Sequence, residues 1–208
     1  MKVLIVNASP RKGGNCSILI DEMSKVFANN NVEISLMEIG AKDIRGCISC
    51  GSCAKSGKCI FDDDVNKAAT LLEESDGFVI VSPVYYSSPN GTVISFLDRL
   101  YHSTRFSKRY KVGAAFAVAR RGGTTASFDV LNKYFTISGM TVAGGDYWNN
   151  GFGLVEGDIH EDKEGLRNAR IVAQRMVFLM NAIKDAKEKY PELLNEEPRV
   201  ATHFIKNK

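Results

Sequence analysis

The chain has 208 residues, enough for one sizeable domain, and its hydrophobic fraction of 44% allows an ordinary buried core. With 27 basic against 24 acidic side chains the net charge is only +3, which argues against nucleic acid or a membrane surface as the partner. No apolar run approaches the ~20 residues of a membrane span, and MKVLIVNASP is too short and too soon interrupted for a secretory leader. We therefore expect a cytoplasmic protein, where clustered cysteines more often bind metal or take part in redox chemistry than form structural disulfides.

In chain order, Lys2–Asn7 is a short β-branched run and predicts a buried strand. Ala8–Asn15 is a polar loop, and Ile18, Leu19, Met23, Val26 and Phe27 then recur at helical spacing over Ser17–Asn29. Val32–Ile39 alternates and predicts a second strand. Asp62–Asp64 precede a third-and-fourth apolar spacing from Val65 to Leu72, as at a helix start. Gly77–Ser82 predicts a third strand, Thr92–His102 a helix, Lys111–Ala119 a fourth strand and Thr124–Ser138 a helix. Thr141–Tyr147 includes a weaker fifth strand, and Asp162–Lys189 is a long helix. Tyr190–Lys208 is a charged tail without clear pattern.

Apolar strands alternating with helices predict an α/β protein with a parallel sheet covered on both faces. Five strands fit a doubly wound sheet in the flavodoxin-like order 2-1-3-4-5. We expect residues 1–189 to form that domain, with a cysteine-rich loop at 46–60 and residues 190–208 as a tail.

In such a sheet the loops after the first, third and fourth strands meet at the carboxyl edge, where ligands bind. The first, NASPRKGGNCS, combines glycines, hydroxyls and Arg11 just before a helix, so its amides can face an anion. It lacks both the GK[ST] of a Walker loop and GxGxxG, and Asn15 or Ser17 can equally be an ordinary helix cap. The second, SPVYYSSPNG, is stiffened by prolines and carries adjacent Tyr85 and Tyr86, suited to a planar ligand or to packing on the next helix. The third, ARRGGTTAS, has Gly122 and Gly123 for close backbone approach, beside two arginines that often remain surface charge. A phosphate, a linker and a flat ring system would fill the three together, which describes flavin mononucleotide.

Cys47, Cys50, Cys53 and Cys59 are spaced C-x2-C-x2-C-x5-C. Four soft thiolates suit zinc or an iron–sulfur cluster. The run of three resembles a ferredoxin segment, although the fourth cysteine follows five residues rather than three. Zinc sites use well-separated C-x2-C pairs, whereas here the middle cysteine would serve two. Free thiols or a disulfide are the remaining alternatives. Lys55 and Lys58 can offset the charge of a thiolate-bound cluster or be solvated surface.

The opening strand with ASPRKGGNCS, the loop SPVYYSSPNG and the GG turn together resemble the NADPH-dependent FMN reductase branch of the flavodoxin-like superfamily, over nearly all of residues 1–180. The cysteine stretch followed by Asp62–Asp64 narrows the resemblance to archaeal and bacterial iron–sulfur flavoproteins, which hold one [4Fe–4S] cluster beside FMN. The resemblance implies that Ser9, Arg11, Asn15, Cys16 and Ser17 hold the FMN phosphate. Cys16 stands where many relatives carry Thr, a stronger donor. Pro83, Val84, Tyr85, Tyr86 and Ser88 would line the ribityl and ring region, and Arg120, Arg121, Gly122 and Gly123 would close over the ring. It further implies a homodimer or homotetramer and an electron-transferring oxidoreductase. NAD(P)H or another donor would supply the electrons, and a ferredoxin, a quinone, O2 or a small oxidant would accept them. No general acid or base is required, and His102 and His160 have no partner at catalytic spacing. Asn149–Gly153 is expected in a lid or a subunit contact.

Overall fold

A computed structural model describes residues 1–198 and 200–202. The end of the expected tail, Arg199 and residues 203–208, lies outside the described residues. In chain order the elements are β1 (Lys2–Asn7), α1 (Asn15–Asn29), β2 (Glu33–Glu38), α2 (Ser52–Ser56), α3 (Asp64–Glu74), β3 (Gly77–Tyr85), β4 (Ser88–Pro89), α4 (Gly91–Ser103), β5 (Val112–Ala119), α5 (Thr124–Ile137), β6 (Thr141–Val142), β7 (Asn150–Phe152) and α6 (Lys163–Lys189). The parallel sheet runs β2-β1-β3-β5-β6, which is the expected 2-1-3-4-5 order of the main strands. Among the described residues, no helix is long and apolar enough to cross a membrane.

Alternation along the strands builds two separate cores. Val3, Ile5, Val79, Val81 and Phe116 point to one face and pack with Leu19, Met23 and Phe27 of α1 and Val172 and Met176 of α6. Leu4, Val6, Phe78, Ile80 and Ala115 point to the other and meet Leu72 of α3, Phe96 and Leu100 of α4, and Leu131 and Phe135 of α5. Because both faces are covered, β1 and β5 need continuous apolar sequence, and Val3–Val6 and Val112–Ala117 are accordingly buried.

Four local features depart from the sequence reading. α1 starts at Asn15 rather than Ser17, and α2 is a short helix inside the cysteine loop. β3 runs on to Tyr85 and turns back as the β4 hairpin. Its pairing with β1 ends at Val81, so Pro83 falls beyond the stretch where β3 lies between two parallel neighbours. The fifth strand is split. β6 pairs with Val112 and Gly113, β7 pairs with Ala117–Ala119, and the chain between them leaves the sheet. Buried Asn168 of α6 holds that excursion: its Oδ1 accepts from Asp146 N at 2.9 Å, and its Nδ2 donates to Tyr147 O at 3.3 Å.

Gly40, just after β2, passes against the loop that follows β1. A Cβ there would lie 2.2 Å from the Ser9 carbonyl carbon and 2.4 Å from Ala8 O, both backbone atoms that cannot rotate away. Gly40→Ala is expected to destabilise the chain by about 1–3 kcal/mol as an overpacking change, measured by urea unfolding. An unaltered midpoint would mean that the loop is freer than this contact implies.

Lys108 gives a pH-dependent test. It is buried, and its Nζ donates to Thr104 Oγ1 at 2.6 Å. Burial, with Lys111 nearby, brings its ammonium down to about 8, against roughly 10.4 for a free lysine. The unfolded chain thus binds this proton more tightly than the folded one, so the lysine's contribution to stability rises with pH between those two values. The stability of Lys108→Met relative to the parent is expected to be greatest at pH 7 and to shrink by pH 10. A gap that stays constant in unfolding titrations at both pH values would contradict the shift.

Candidate functional site

The loops after β1, β3 and β5 converge at the carboxyl edge of the sheet. Asn7 starts the first turn: its Oδ1 accepts from Ser9 N at 3.0 Å, an Asx turn, and its Nδ2 donates to Ser17 Oγ at 3.1 Å. Ser9 Oγ then accepts from Arg11 N at 3.2 Å. Buried Asn90 ties the second loop to the first. Its Nδ2 donates to Ala8 O, its Oδ1 caps α4 by accepting from Val93 N at 2.9 Å, and its backbone N–H donates to Ser82 Oγ at 3.2 Å. The third loop approaches closely enough that a Cβ on Gly123, whose φ is +90°, would lie 2.6 Å from Ser87 Cα.

Between these loops is a cleft of about 190 Å³, open to solvent, lined by Ser9, Arg11, Asn15, Cys16, Pro83, Val84, Tyr85, Val118, Ala119, Arg120, Gly153 and Leu154. Of the expected contact residues, Ser9, Arg11, Asn15, Cys16, Pro83, Val84, Tyr85 and Arg120 come together here. Ser17, Tyr86, Ser88, Arg121, Gly122 and Gly123 do not line it. Ser17 is occupied with Asn7. Tyr86 is fully exposed at the hairpin tip, where it and Ser87 both have positive φ, as a two-residue turn of the hairpin type demands.

The first turn of α1 opens toward this cleft. α1 begins after Gly14, with no side-chain cap and no acidic residue in its first turn. Its leading amides are thus available to an anion, and the helix dipole favours one. By contrast α3, α4 and α6 are capped by Asp63, Asn90 and Asp162. Cys16 lies in this first turn and is 2% exposed. Burial pushes its thiol up to about 12, despite the lowering effects of Ser9 and Arg11, so it is a neutral group at physiological pH and does not repel an anion.

The segment after β7 forms a wall that the sequence reading did not assign to the cleft. Arg11 Nη1 donates to Leu154 O at 2.9 Å, and Asn15 Nδ2 donates to Val155 O at 2.9 Å. Asp158 Oδ2 accepts from the N–H groups of Leu154 and Val155, each at 2.9 Å, and these backbone donors, that of Val155 foremost, hold its carboxyl below the usual range. Gly153, from the Asn149–Gly153 stretch expected in a lid or a subunit contact, reaches the cleft, whereas Tyr147 and Trp148 are exposed and do not line it.

The four clustered cysteines line a second, small pocket together with Ile48, Ile60, Phe61, Arg99, His102 and Ser103. Gly51 and Gly57 bracket α2 at φ of 70° and 69°, and so let the loop turn on both sides of Cys53. Asn66 fastens the other end: its Oδ1 accepts from Cys59 N at 2.9 Å, and its Nδ2 donates to Cys59 O at 3.0 Å. All the cysteines are free thiols, with Cys47 and Cys50 exposed. Among the described residues no group of three or more His, Cys, Asp and Glu side chains is set to hold a single metal ion. A mononuclear zinc site needs its sulfurs about 2.3 Å from one point. The four cysteines instead line one pocket without converging on a single point, and soft thiolate donors of this kind suit a polynuclear iron–sulfur group as well as zinc.

Arg99 is the residue the sequence reading overlooked. It is 1% exposed and pairs with Asp63 at 2.6 Å. Its Nε and Nη2 each donate to Cys59 Sγ at 3.2 Å. A lone arginine in an amphipathic helix reads as surface charge, and only the fold brings Asp63 and Cys59 to it. His102, also unassigned, lies on the same side of α4. The cysteine pocket borders the later turns of α4: Arg99 and Ser103 are roughly 12 and 18 Å along the helix axis from Gly91, at about 1.5 Å per residue.

Residues 1–154 match the family described as NADPH-dependent FMN reductase. An iron-sulfur flavoprotein of Methanocaldococcus jannaschii is 31% identical over 192 residues, covering 88% of this chain and all of that protein. An iron-sulfur flavoprotein of Methanosarcina thermophila is 27% identical over 194 residues, covering 91% and 100%. Among solved structures, RosB with a bound 8-demethyl-8-formylriboflavin-5′-phosphate intermediate superposes with a TM-score of 0.70, covering 100% of this chain and 92% of that one, and at 13% identity this is a likeness of fold. With its flavodoxin-like sheet and a family match across most of its length, the chain belongs to the NADPH-dependent FMN reductase family.

Proposed function

We propose that the chain is an FMN-dependent oxidoreductase that takes electrons from NAD(P)H or another reduced donor, and that Cys47, Cys50, Cys53 and Cys59 carry a [4Fe–4S] cluster. The observation that carries the first part is the uncapped start of α1 opening into the cleft beside Arg11. The ring of four free thiols supports the second, as do the relatives named iron-sulfur flavoproteins. FMN supplies exchange of an electron pair with a hydride donor and of single electrons with a one-electron partner, and a cluster supplies single-electron transfer.

The chain's own residues bind and orient. The amides of the first turn of α1 and the Arg11 guanidinium take the phosphate, and Cys16 contributes a neutral thiol. Pro83, Val84 and Tyr85 form one wall for the ring, stiffened by the proline and held by the Asn90 bridge. Arg120, Ala119 and Gly153 form the other. No protein acid or base enters the reaction. Acceptors compatible with this chemistry are a ferredoxin, a quinone, O2 or another small oxidant, and the working unit is a homodimer or homotetramer.

Steady-state oxidation of NAD(P)H with a dye acceptor tests the activity. Turnover is expected, whereas a protein that binds FMN and gives none would be a carrier. Arg11→Ala is expected to weaken FMN binding by about 10- to 100-fold, the value of a lost hydrogen bond to a charged group, in titrations of the apoprotein. Unchanged affinity would remove Arg11 from the phosphate site. Cys50→Ser, purified without oxygen, is expected to lose its iron and keep FMN; iron retained at the parent level would show that Cys50 is not a ligand.

A further inference from the structure

The cysteine cavity has a polar side that no thiol supplies. Helix α4 presents Arg99 and Ser103 there, one turn apart and 1% and 4% exposed. Arg99 Nη1 and Nη2 hold Asp63 at 2.6 and 2.9 Å, and Asp63 in turn caps α3 by accepting from Val65 N at 3.1 Å. The same guanidinium turns its Nε–Nη2 edge to Cys59 Sγ, with both contacts at 3.2 Å. Ser103 Oγ is buried with no hydrogen-bond partner among the described residues. An unsatisfied buried hydroxyl is destabilising, and such a group calls for a specific explanation. This one lies on the wall of a cavity ringed by sulfur.

The geometry points to Arg99 and Ser103 as positioning residues that set the reduction potential of the group held by the four cysteines, by donating hydrogen bonds to its sulfurs. This rests on the cluster reading proposed above. Reduction adds one electron to that group and changes no covalent bond. The reduced form is the more negative, so N–H and O–H donors favour it and raise the potential. The buried guanidinium acts in the same direction through its charge. Structure alone gives a weak reason for Arg99, since a buried ion pair can often be replaced by apolar side chains of similar volume without loss of stability.

The test uses the full chain prepared without oxygen. Iron and sulfide are counted, and the midpoint potential is then measured by spectroelectrochemical titration. Ser103→Ala is expected to keep the parent iron content and shift the oxidised-to-reduced ratio at fixed ambient potential by about tenfold toward the oxidised form, equivalent to ~59 mV for a one-electron couple. Arg99→Met is expected to lower the potential at least as far. Arg99→Lys, which keeps the charge but loses the fork of donors, is expected to fall between Arg99→Met and the parent. A purely structural role would reduce iron content or stability and leave the potential of fully loaded chains unmoved. Either residue whose fully loaded variant keeps the parent potential loses its assigned role, and Ser103→Ala decides the matter if the Arg99 variants do not fold. If the parent chain binds no iron, the cluster reading itself fails and this inference falls with it; that failure is read from the iron analysis, not from the potential.

Discussion

The carboxyl edge of the sheet is organised by one buried side chain, Asn90. It joins the carbonyl of Ala8, the start of α4 and, through its backbone, the hydroxyl of Ser82. Parallel strands cannot be linked by tight hairpins, so the loops that leave them need an external fastening to share one site. Asn90 fixes the loop after β1 to the loop after β3 with groups that are all satisfied and out of water. Its burial at 2% exposure makes each of those bonds costly to leave unmade. The cleft is the space left beside this fastening.

Helix ends divide the work at that edge. Where a helix closes its own first turn, as α4 does with Asn90 and α6 with Asp162, its amides are spent on the protein. α1 and α5 instead start from Gly14 and Gly123, with no side-chain cap and no acid in the first turn. Both follow strands whose carboxyl ends face the cleft. A glycine in place of a side-chain cap forgoes only roughly a few tenths of a kcal/mol, and at α1, whose Asn15 and Cys16 line the cleft, the free donors face the space a ligand would fill. α4 then carries structure away from the cleft. Its Val93, Phe96, Leu97 and Leu100 lie in the core, while Arg99 and Ser103 face the cysteines. The helix whose N-cap fastens the cleft loops thus lines the cysteine pocket with its later turns.

Much of this was legible before the structure because it rests on local, repetitive signals. β1, β3 and β5 are continuous apolar runs, α6 has a sustained helical period, and their alternation dictated the strand order. The same reasoning placed Ser9, Arg11, Cys16, Pro83 and Arg120 near one another, since the topology alone brings those loops together. What escaped depended on distant partners. The split fifth strand follows from Asn168, more than twenty residues later, capturing Asp146 and Tyr147. The Leu154 wall exists because Asp158 gathers its backbone and Arg11 reaches across to it. Arg99 became visible only when Asp63 and Cys59, distant in sequence, were found against it.

The five cysteines show how burial divides one side chain between two chemistries. Cys16 sits in the first turn of a helix, a place that normally lowers a thiol by favouring its anion. Here burial outweighs the nearby Ser9 and Arg11 and holds the thiol neutral. A thiolate at this point would repel a phosphate and compete for the amides that receive it, so the desolvation protects the anion site. The clustered cysteines meet the opposite conditions. Cys47 and Cys50 are exposed, and Cys59 receives two N–H donors from a guanidinium. The fold therefore buries one thiol, neutral, at the open start of α1 and gathers the other four around a separate pocket beside a guanidinium.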